Sequence, residues 1–461
     1  MSKKIFIILI FLSFLIFSNC STTVTKIDFY RDIMADIRTE NYAIAATKIE
    51  DAKYNNKYLE KDRVLYYLDK GAVLHYQGDY MNSNDCLEQA DITMEELFTK
   101  SISRAASSIL LNDNVLNYCG EIHDNIYVNL FKTLNYLKLY KFDDAYVEIK
   151  RVNDKLRVLN DKYGEFVKEM NKSINAKIKF KKKALKFYND ALAHYLSYLI
   201  FRTEGEYENS RISYEKIKSA FRSQPRVYNF PMPSHLEVRP NFKGTFLNVI
   251  AFTGTAPLKC PIGGQITTYK NYIHVSNLSY VKKNVVMKFP GIREGYHFKF
   301  AFPEICFEDS IVKRIEVYVN NSKVGELELL EDVGKVAIAT FQTNKYLVYL
   351  KTIIRTIIKG VGSAKVKHEL RKEAGLKDTS LLSRLINVGV DIIVDATENP
   401  DLRCWRTLPQ KFYIGEFALN PGYYNIHIYF YNNNGYLLKK KSFFEYEIND
   451  GLNLIETIYL N

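Results

Sequence analysis

Residues 67–90, YLDKGAVLHYQGDYMNSNDCLEQA, decide how the first half of this chain folds. Tyr67, Gly71 and Leu74 share one side of a helix, Gly78-Asp79 interrupts it, and Tyr80, Ser83, Leu87 and Ala90 resume at i, i+3, i+7 and i+10. An aromatic opens the second helix, a small residue lets the neighbouring helix approach, and a bulky residue one turn later fills the groove. This is the helical hairpin of a tetratricopeptide unit. The second-helix spacing recurs as Tyr42, Ala45, Ile49, Ala52, as Phe142, Ala145, Ile149, Val152, and as Tyr207, Ser210, Tyr214, Ile217.

The aromatics at 42, 80, 142 and 207 stand 38, 62 and 65 residues apart, against a strict tetratricopeptide period of about 34. Extra or longer helices must therefore intervene. One of them carries Lys172, Lys177, Lys179, Lys181, Lys182, Lys183 and Lys186, which read as the solvated face of a long helix or as a docking strip for anionic material. Pro225, Pro231, Pro233 and Pro240 then crowd one short stretch. Each proline fixes its own φ and disfavours helix at the residue before it, so helices should stop near Ser223.

Beyond Gly244 the period changes to that of strands. Thr245–Phe252, Val285–Phe289, Ile311–Val319 and Val336–Phe341 are β-branched and aromatic runs, and Tyr424, Ile426, Ile428 and Phe430 alternate before an Asn434-Gly435 hairpin turn. An antiparallel β-sandwich is expected. A helical insertion interrupts it, with a stripe of Leu347, Leu350, Ile353, Ile354, Ile357 and Ile358 and a second helix over Thr379–Ala396. The fold class is thus α+β: an N-terminal all-α tetratricopeptide-like solenoid followed by a C-terminal antiparallel β-sandwich-like domain.

The amino terminus is an address. Lys3 and Lys4 precede an apolar run from Ile5 to Phe17, too short to span a bilayer, and Ser18-Asn19-Cys20 follows. This is a lipoprotein-type signal with Cys20 as the lipidated residue; an ordinary secretory signal or an uncleaved anchor is the alternative. The expected boundaries are a signal peptide at 1–19, a lipidated tether at 20–24, helices at 25–223, a Pro-rich linker at 224–243, and a β-rich domain at 244–461 with its helical insertion at about 343–396.

Net charge is +12, which favours anionic glycan or lipid as a contact. No nucleic-acid motif accompanies it, and an exported protein does not meet nucleic acid as a partner. Cys86, Cys119, Cys260, Cys306 and Cys404 show no C-x-x-C pair, so they read as one or two envelope disulfides or as solitary buried thiols. Dispersed histidines give no zinc pattern, and no cofactor is expected.

The stretch Asp401-Leu402-Arg403-Cys404-Trp405-Arg406-Thr407-Leu408-Pro409 holds the chain's one tryptophan between two arginines. Arg over Trp gives a cation–π contact, and Asp401 is placed to bond a guanidinium. Asp401, Arg403, Trp405 and Arg406 form either a rigid corner or a binding site, with Lys259 as a further candidate. This corner, the segment Gly254-Thr255-Ala256-Pro257-Leu258-Lys259, the helical repeats and the lipoprotein start together resemble a bacterial family of tetratricopeptide envelope lipoproteins. In that family the corner reads D-x-R-x-W-x-x-L-P, and G-x-x-P-x-K falls on Gly254, Pro257 and Lys259. Its members are often encoded beside curli-secretion-like and penicillin-binding-protein-activator-like lipoproteins. The resemblance implies work in envelope assembly and brings no activity with it.

The function expected from these features is that of a non-enzymatic scaffold or adaptor, anchored to the outer membrane through Cys20, whose solenoid binds an envelope protein on its concave face. A peptidoglycan- or glycan-acting enzyme and a surface adhesin are the alternatives. Cys20→Ala should move the protein from the membrane to the soluble envelope fraction; detergent partitioning identical to that of the parent would count against the lipid.

Overall fold

The computed structural model describes residues 27–103, 112–174, 186–236, 244–277, 284–289, 292–360 and 400–461. Cys20 and the signal segment, Lys177 to Lys183 of the basic strip, and the helix expected over Thr379–Ala396 lie outside the described residues. The architecture is α+β, with the helices first and the strands after them.

Eight helices form four hairpins: α1 (Tyr30–Arg38) with α2 (Tyr42–Tyr54), α3 (Arg63–Gln77) with α4 (Tyr80–Ser103), α5 (Ile122–Lys138) with α6 (Phe142–Ile174), and α7 (Ala191–Thr203) with α8 (Tyr207–Ser223). All four turns share one construction. The residue two before the opening aromatic is left-handed: Glu40 (φ 64°), Gly78 (φ 87°), Tyr140 (φ 56°) and Gly205 (φ 78°). The next N–H then reaches back five residues, Asn41 to Asp36 O at 2.8 Å, Asp79 to Leu74 at 2.9 Å, Lys141 to Tyr136 at 2.9 Å and Glu206 to Phe201 at 2.7 Å. This 6→1 bond is the Schellman cap, which satisfies carbonyls that the end of a helix leaves orphaned. Two of the four turns use glycine, which takes positive φ without strain.

The small residues of the repeat sit where the helices touch. Ala45, Ser83, Ala145 and Ser210 are buried, Ser83 Oγ donates to Gly71 O at 2.7 Å, and a Cβ on Gly71 would meet Leu87 at 2.7 Å. Thr133 repeats the crossing bond by donating to Ala145 O at 3.5 Å.

Twelve strands make three four-stranded sheets. The central one, in the order β12 (Asn453–Tyr459), β1 (Phe246–Thr255), β9 (Pro409–Ala418), β8 (Glu328–Asp332), is mixed: β1 pairs with β12 in parallel and with β9 antiparallel. The outer sheet runs β11 (Leu437–Ile448), β10 (Gly422–Tyr431), β6 (Arg314–Val319), β7 (Ser322–Glu326). The third runs β4 (Asn284–Lys288), β3 (Tyr272–Asn277), β2 (Leu258–Tyr269), β5 (His297–Cys306), with Cys260 and Cys306 bridged across β2 and β5. Cys86, Cys119 and Cys404 are free thiols.

The central sheet is buried on both faces, which explains its near-continuous apolar strands. Leu247, Val249 and Ala251 of β1 join Ile315, Val317, Ile426, Ile428 and Phe430 of the outer sheet in one core. Ile250 and Phe252, with Phe412, Ile414 and Leu454, face the other way and join the helices in a second core. Tyr127 of α5 stacks on Phe412 at 6.1 Å, and Phe131 meets Trp405 at 5.7 Å and Phe252 at 6.1 Å. The first helices α3, α5 and α7 are accordingly buried along most of their length.

Several expectations need correction. The strand read at Val336–Phe341 lies inside a 28-residue helix, α9 (Val333–Gly360); a fully buried apolar run looks the same in either state, and Asp332 Oδ1 accepts from Lys335 N at 3.1 Å to start the helix. The sheet expected to be antiparallel is mixed, because the last strand returns beside β1. The proline-rich stretch up to Leu236 is no exposed linker: Val227, Tyr228 and Leu236 are buried in the helix–sheet core, and Tyr228 OH donates to Glu331 at 2.9 Å. The buried side of the first helices α3, α5 and α7 packs on the chain's own central sheet.

A shared core couples the two halves. The whole molecule should therefore unfold in one calorimetric transition, and Phe131→Ala should remove about 3–5 kcal/mol while lowering the melting temperature of helices and strands together. Two separate transitions, with only the helical one shifted, would contradict the shared core.

Candidate functional site

The D-L-R-C-W-R-T-L-P corner leads into β9 and turns its side chains into the helices. Arg403 is 3% exposed, and every N–H of its guanidinium has an acceptor. Nε and Nη2 fork onto Asp401 at 2.9 and 2.8 Å. Nη1 reaches Asp62 Oδ1 and Leu116 O, both at 2.9 Å, and Nη2 also reaches Asp113 O at 2.7 Å. The guanidinium lies 5.4 Å from the centre of the Tyr118 ring. Burial would raise Asp401, but Arg403 and Lys259 outweigh it and hold this carboxyl far below the usual range. Arg403 therefore ties the corner to the helical half and keeps no donor for a ligand.

Trp405 is 1% exposed. Its Nε1–H donates to Thr407 Oγ1 at 2.9 Å, and Thr407 passes its own proton to Asp69 Oδ1 at 3.0 Å. Asp69 also accepts from Tyr30 at 2.7 Å and Tyr58 at 2.9 Å, while Tyr76 OH donates to Thr407 O at 2.7 Å. Burial pushes Asp69 up to about 6 against the pull of these donors. The cation–π contact expected between an arginine and Trp405 is absent: Arg403 lies over Tyr118 and Arg406 over Tyr30, at 5.1 Å. Trp405 instead packs on Phe131, because a ring without charge beside it is the side chain suited to the dry side of the corner.

Asp401, Arg403 and Lys259 line one cleft of about 350 Å³. Leu97 and Phe98 from α4, Phe341 and Leu347 from α9, and Pro303 from β5 give it apolar walls. Its cations are matched: Lys259 is paired with Glu121, and Lys351 with Asp113 at 2.8 Å. The one thiol on its wall, Cys119, is pushed up to about 11 by burial and by Glu121, so it stays protonated and is a poor nucleophile. Lys259, Lys351 and Arg403 are thus held in ion pairs within the protein.

Of the five candidates, Asp401, Arg403 and Lys259 come together, Trp405 lies in the helix–sheet core, and Arg406 points to the α1 side. Sequence reasoning missed Asp62, Asp69, Asp113, Glu121 and Thr407. The need of a buried arginine for several acceptors pointed to groups such as Asp62 and Asp113 O, but no spacing singled out which residues would serve, and nothing pointed to Glu121, Asp69 or Thr407.

Arg403→Met should destabilise the protein by about 3–5 kcal/mol, since it leaves Asp401 and Asp62 buried without their counter-charge; a melting temperature within two degrees of the parent would show that the ties contribute little. Comparison with family models, with curated proteins and with solved structures found no match, so the site rests on its own geometry.

Proposed function

We propose that this chain is a non-enzymatic, lipid-anchored envelope protein that works as a scaffold or adaptor, with its hairpins as a tetratricopeptide-like solenoid and its central and outer sheets as a sandwich-like body. The observation that carries this reading is the repeated hairpin turn, which gives four second helices of the same construction. Stacked units of this kind build extended binding surfaces. The first-helix side is filled by the central sheet, so the surface left for an envelope protein partner is that of the second helices. Apolar side chains stand out there: Ile44 on α2, Met81 on α4, Val147 on α6 and Ile212 on α8, each at least 42% exposed. Val147 and Ile212 occupy the same place in their repeats, five residues after the opening aromatic. The ion pairs of the corner act, in this reading, as fasteners between the two halves.

The test is photocrosslinking in intact cells, with a photoreactive residue at Val147 or Ile212 and a control at Tyr436 on the far sheet. Adducts of one defined size from the two helical positions, and not from the control, are expected. Adducts from Tyr436 alone, or from none of the three, would overturn the second-helix assignment.

A further inference from the structure

The solvent side of the outer sheet carries rings where a surface usually carries short polar groups. Along β10, Ile426, Ile428 and Phe430 enter the core, so His427, Tyr429 and Tyr431 lie on the opposite side; His427 is covered there, 6% exposed and bonded to Ser442 Oγ at 2.9 Å, and the two tyrosines are half-buried. Tyr318 of β6 stands against Tyr429 at 5.0 Å, and Phe444 of β11 against His427 at 5.8 Å. His427 and Tyr429 are 6.3 Å apart and Tyr429 and Tyr431 6.4 Å, so four rings from Phe444 to Tyr431 form one row. A bulge extends that row. Phe443 and Tyr446 both pack against the core; of the two residues between them, Glu445 is left-handed at φ 49° with its N–H on Asn425 Oδ1 at 3.1 Å, and Phe444 is thrown outward to 71% exposure.

The charges on this face are few and nearly balanced. Glu316 is held by Arg314, by Lys323 at 2.7 Å and by Tyr318 OH at 3.2 Å. Lys440 has a cation–π contact with Tyr429 at 5.3 Å and no ion pair among the described residues. The outward positions of the two central strands, β6 and β10, hold no aliphatic side chain, unlike the core of a protein interface.

We propose that this face binds an extended glycan, whose pyranose rings lie with their C–H sides on Phe444, Tyr429 and Tyr431 and whose acidic substituent meets Lys440. A sugar ring offers an apolar face and a hydroxyl edge. A tyrosine offers the matching apolar ring and polar tip. A single-stranded polynucleotide would also stack on rings, but it needs a run of unopposed cations along its backbone, and here Glu316 and Glu326 offset Arg314 and Lys323. This surface and the second-helix surface lie on different elements, so neither assignment depends on the other.

The experiment is calorimetric titration of the purified full chain with three soluble probes: a chitin tetrasaccharide, a hyaluronan tetrasaccharide with its glucuronate carboxyls, and a ten-residue oligothymidylate. Both sugars should bind, the acidic one about three- to tenfold more tightly. Tyr429→Ala with Tyr431→Ala should weaken both by about tenfold or more, and Lys440→Gln should erase the preference for the acidic sugar. Phe444→Ser, at a position so exposed that the melting temperature should not move, should weaken both sugars several-fold and guards against a double variant that fails to fold. The proposal falls if neither sugar binds at millimolar concentration, if Phe444→Ser binds as the parent does, or if oligothymidylate binds more tightly than the acidic sugar.

Discussion

Everything in this molecule depends on a dry seam between the first helices of its hairpins and one face of the central sheet. Phe131 is the centre of it, touching His75 and Tyr76 on its own side and Phe252, Trp405 and Phe412 on the other. A helical hairpin cannot bury its apolar face alone, and a row of hairpins with few repeats has too little neighbouring surface to do so. Here the sheet takes the place that further repeats would fill. Several of the polar groups caught in the seam find partners across it. His75 Nε2 meets Glu456 at 3.2 Å, Arg202 bridges Glu416 at 2.8 Å and Asn248 at 2.7 Å, and Lys138 Nζ reaches Leu454 O at 3.1 Å. Burial, with the Asp190 carboxyl beside it, pushes Glu331 far above the carboxylate range, which favours the uncharged acid between the hydroxyls of Tyr127 and Tyr228.

The hairpins were legible because their signal is local. An aromatic, a small residue and a bulky residue at fixed spacing describe one helix meeting one neighbour, and the four registers all lie on second helices with Schellman turns before them. The turns themselves were half visible: Gly78 and Gly205 announce a left-handed residue, whereas Glu40 and Tyr140 take the same conformation with side chains that give no such notice. The strand alternation of β10 was legible for the same reason as the hairpins. What sequence could not supply was partnership at long range. The parallel return of β12 beside β1 depends on residues more than two hundred positions apart, and α9 was read in part as strand because a segment buried on all sides has no polar face to reveal its period.

The corner shows the same limit at the level of single groups. Its composition declared that a buried arginine, a tryptophan and an aspartate would stand together, and the Asp401–Arg403 fork is the part that short spacing could anticipate. The remaining acceptors, Asp62, Leu116 O and Asp113 O, come from segments 287 to 341 residues earlier. A planar guanidinium in a dry place requires about that many acceptors, but the requirement names a number and a geometry, never an address in the chain. The same holds for Asp69, whose three donors arrive from α1, from Tyr58 and from Thr407.

This economy of charge bears on where the molecule can act. A cation that is buried and fully bonded stabilises a fold and has little left to give a ligand, since a newcomer must first displace a partner whose loss costs several kcal/mol. By that measure Arg403, Lys259 and Lys351 are committed, and so is the first-helix face on which a free solenoid would receive a peptide. The groups with capacity in hand are the outlying ones: apolar side chains on the second helices, and on the far side of the outer sheet a row of rings beside Lys440. They lie on different elements and differ in chemistry, one aliphatic and the other aromatic with hydroxyls. A chain whose inner surfaces join its own halves is thereby left with its outer ones for contact with anything else.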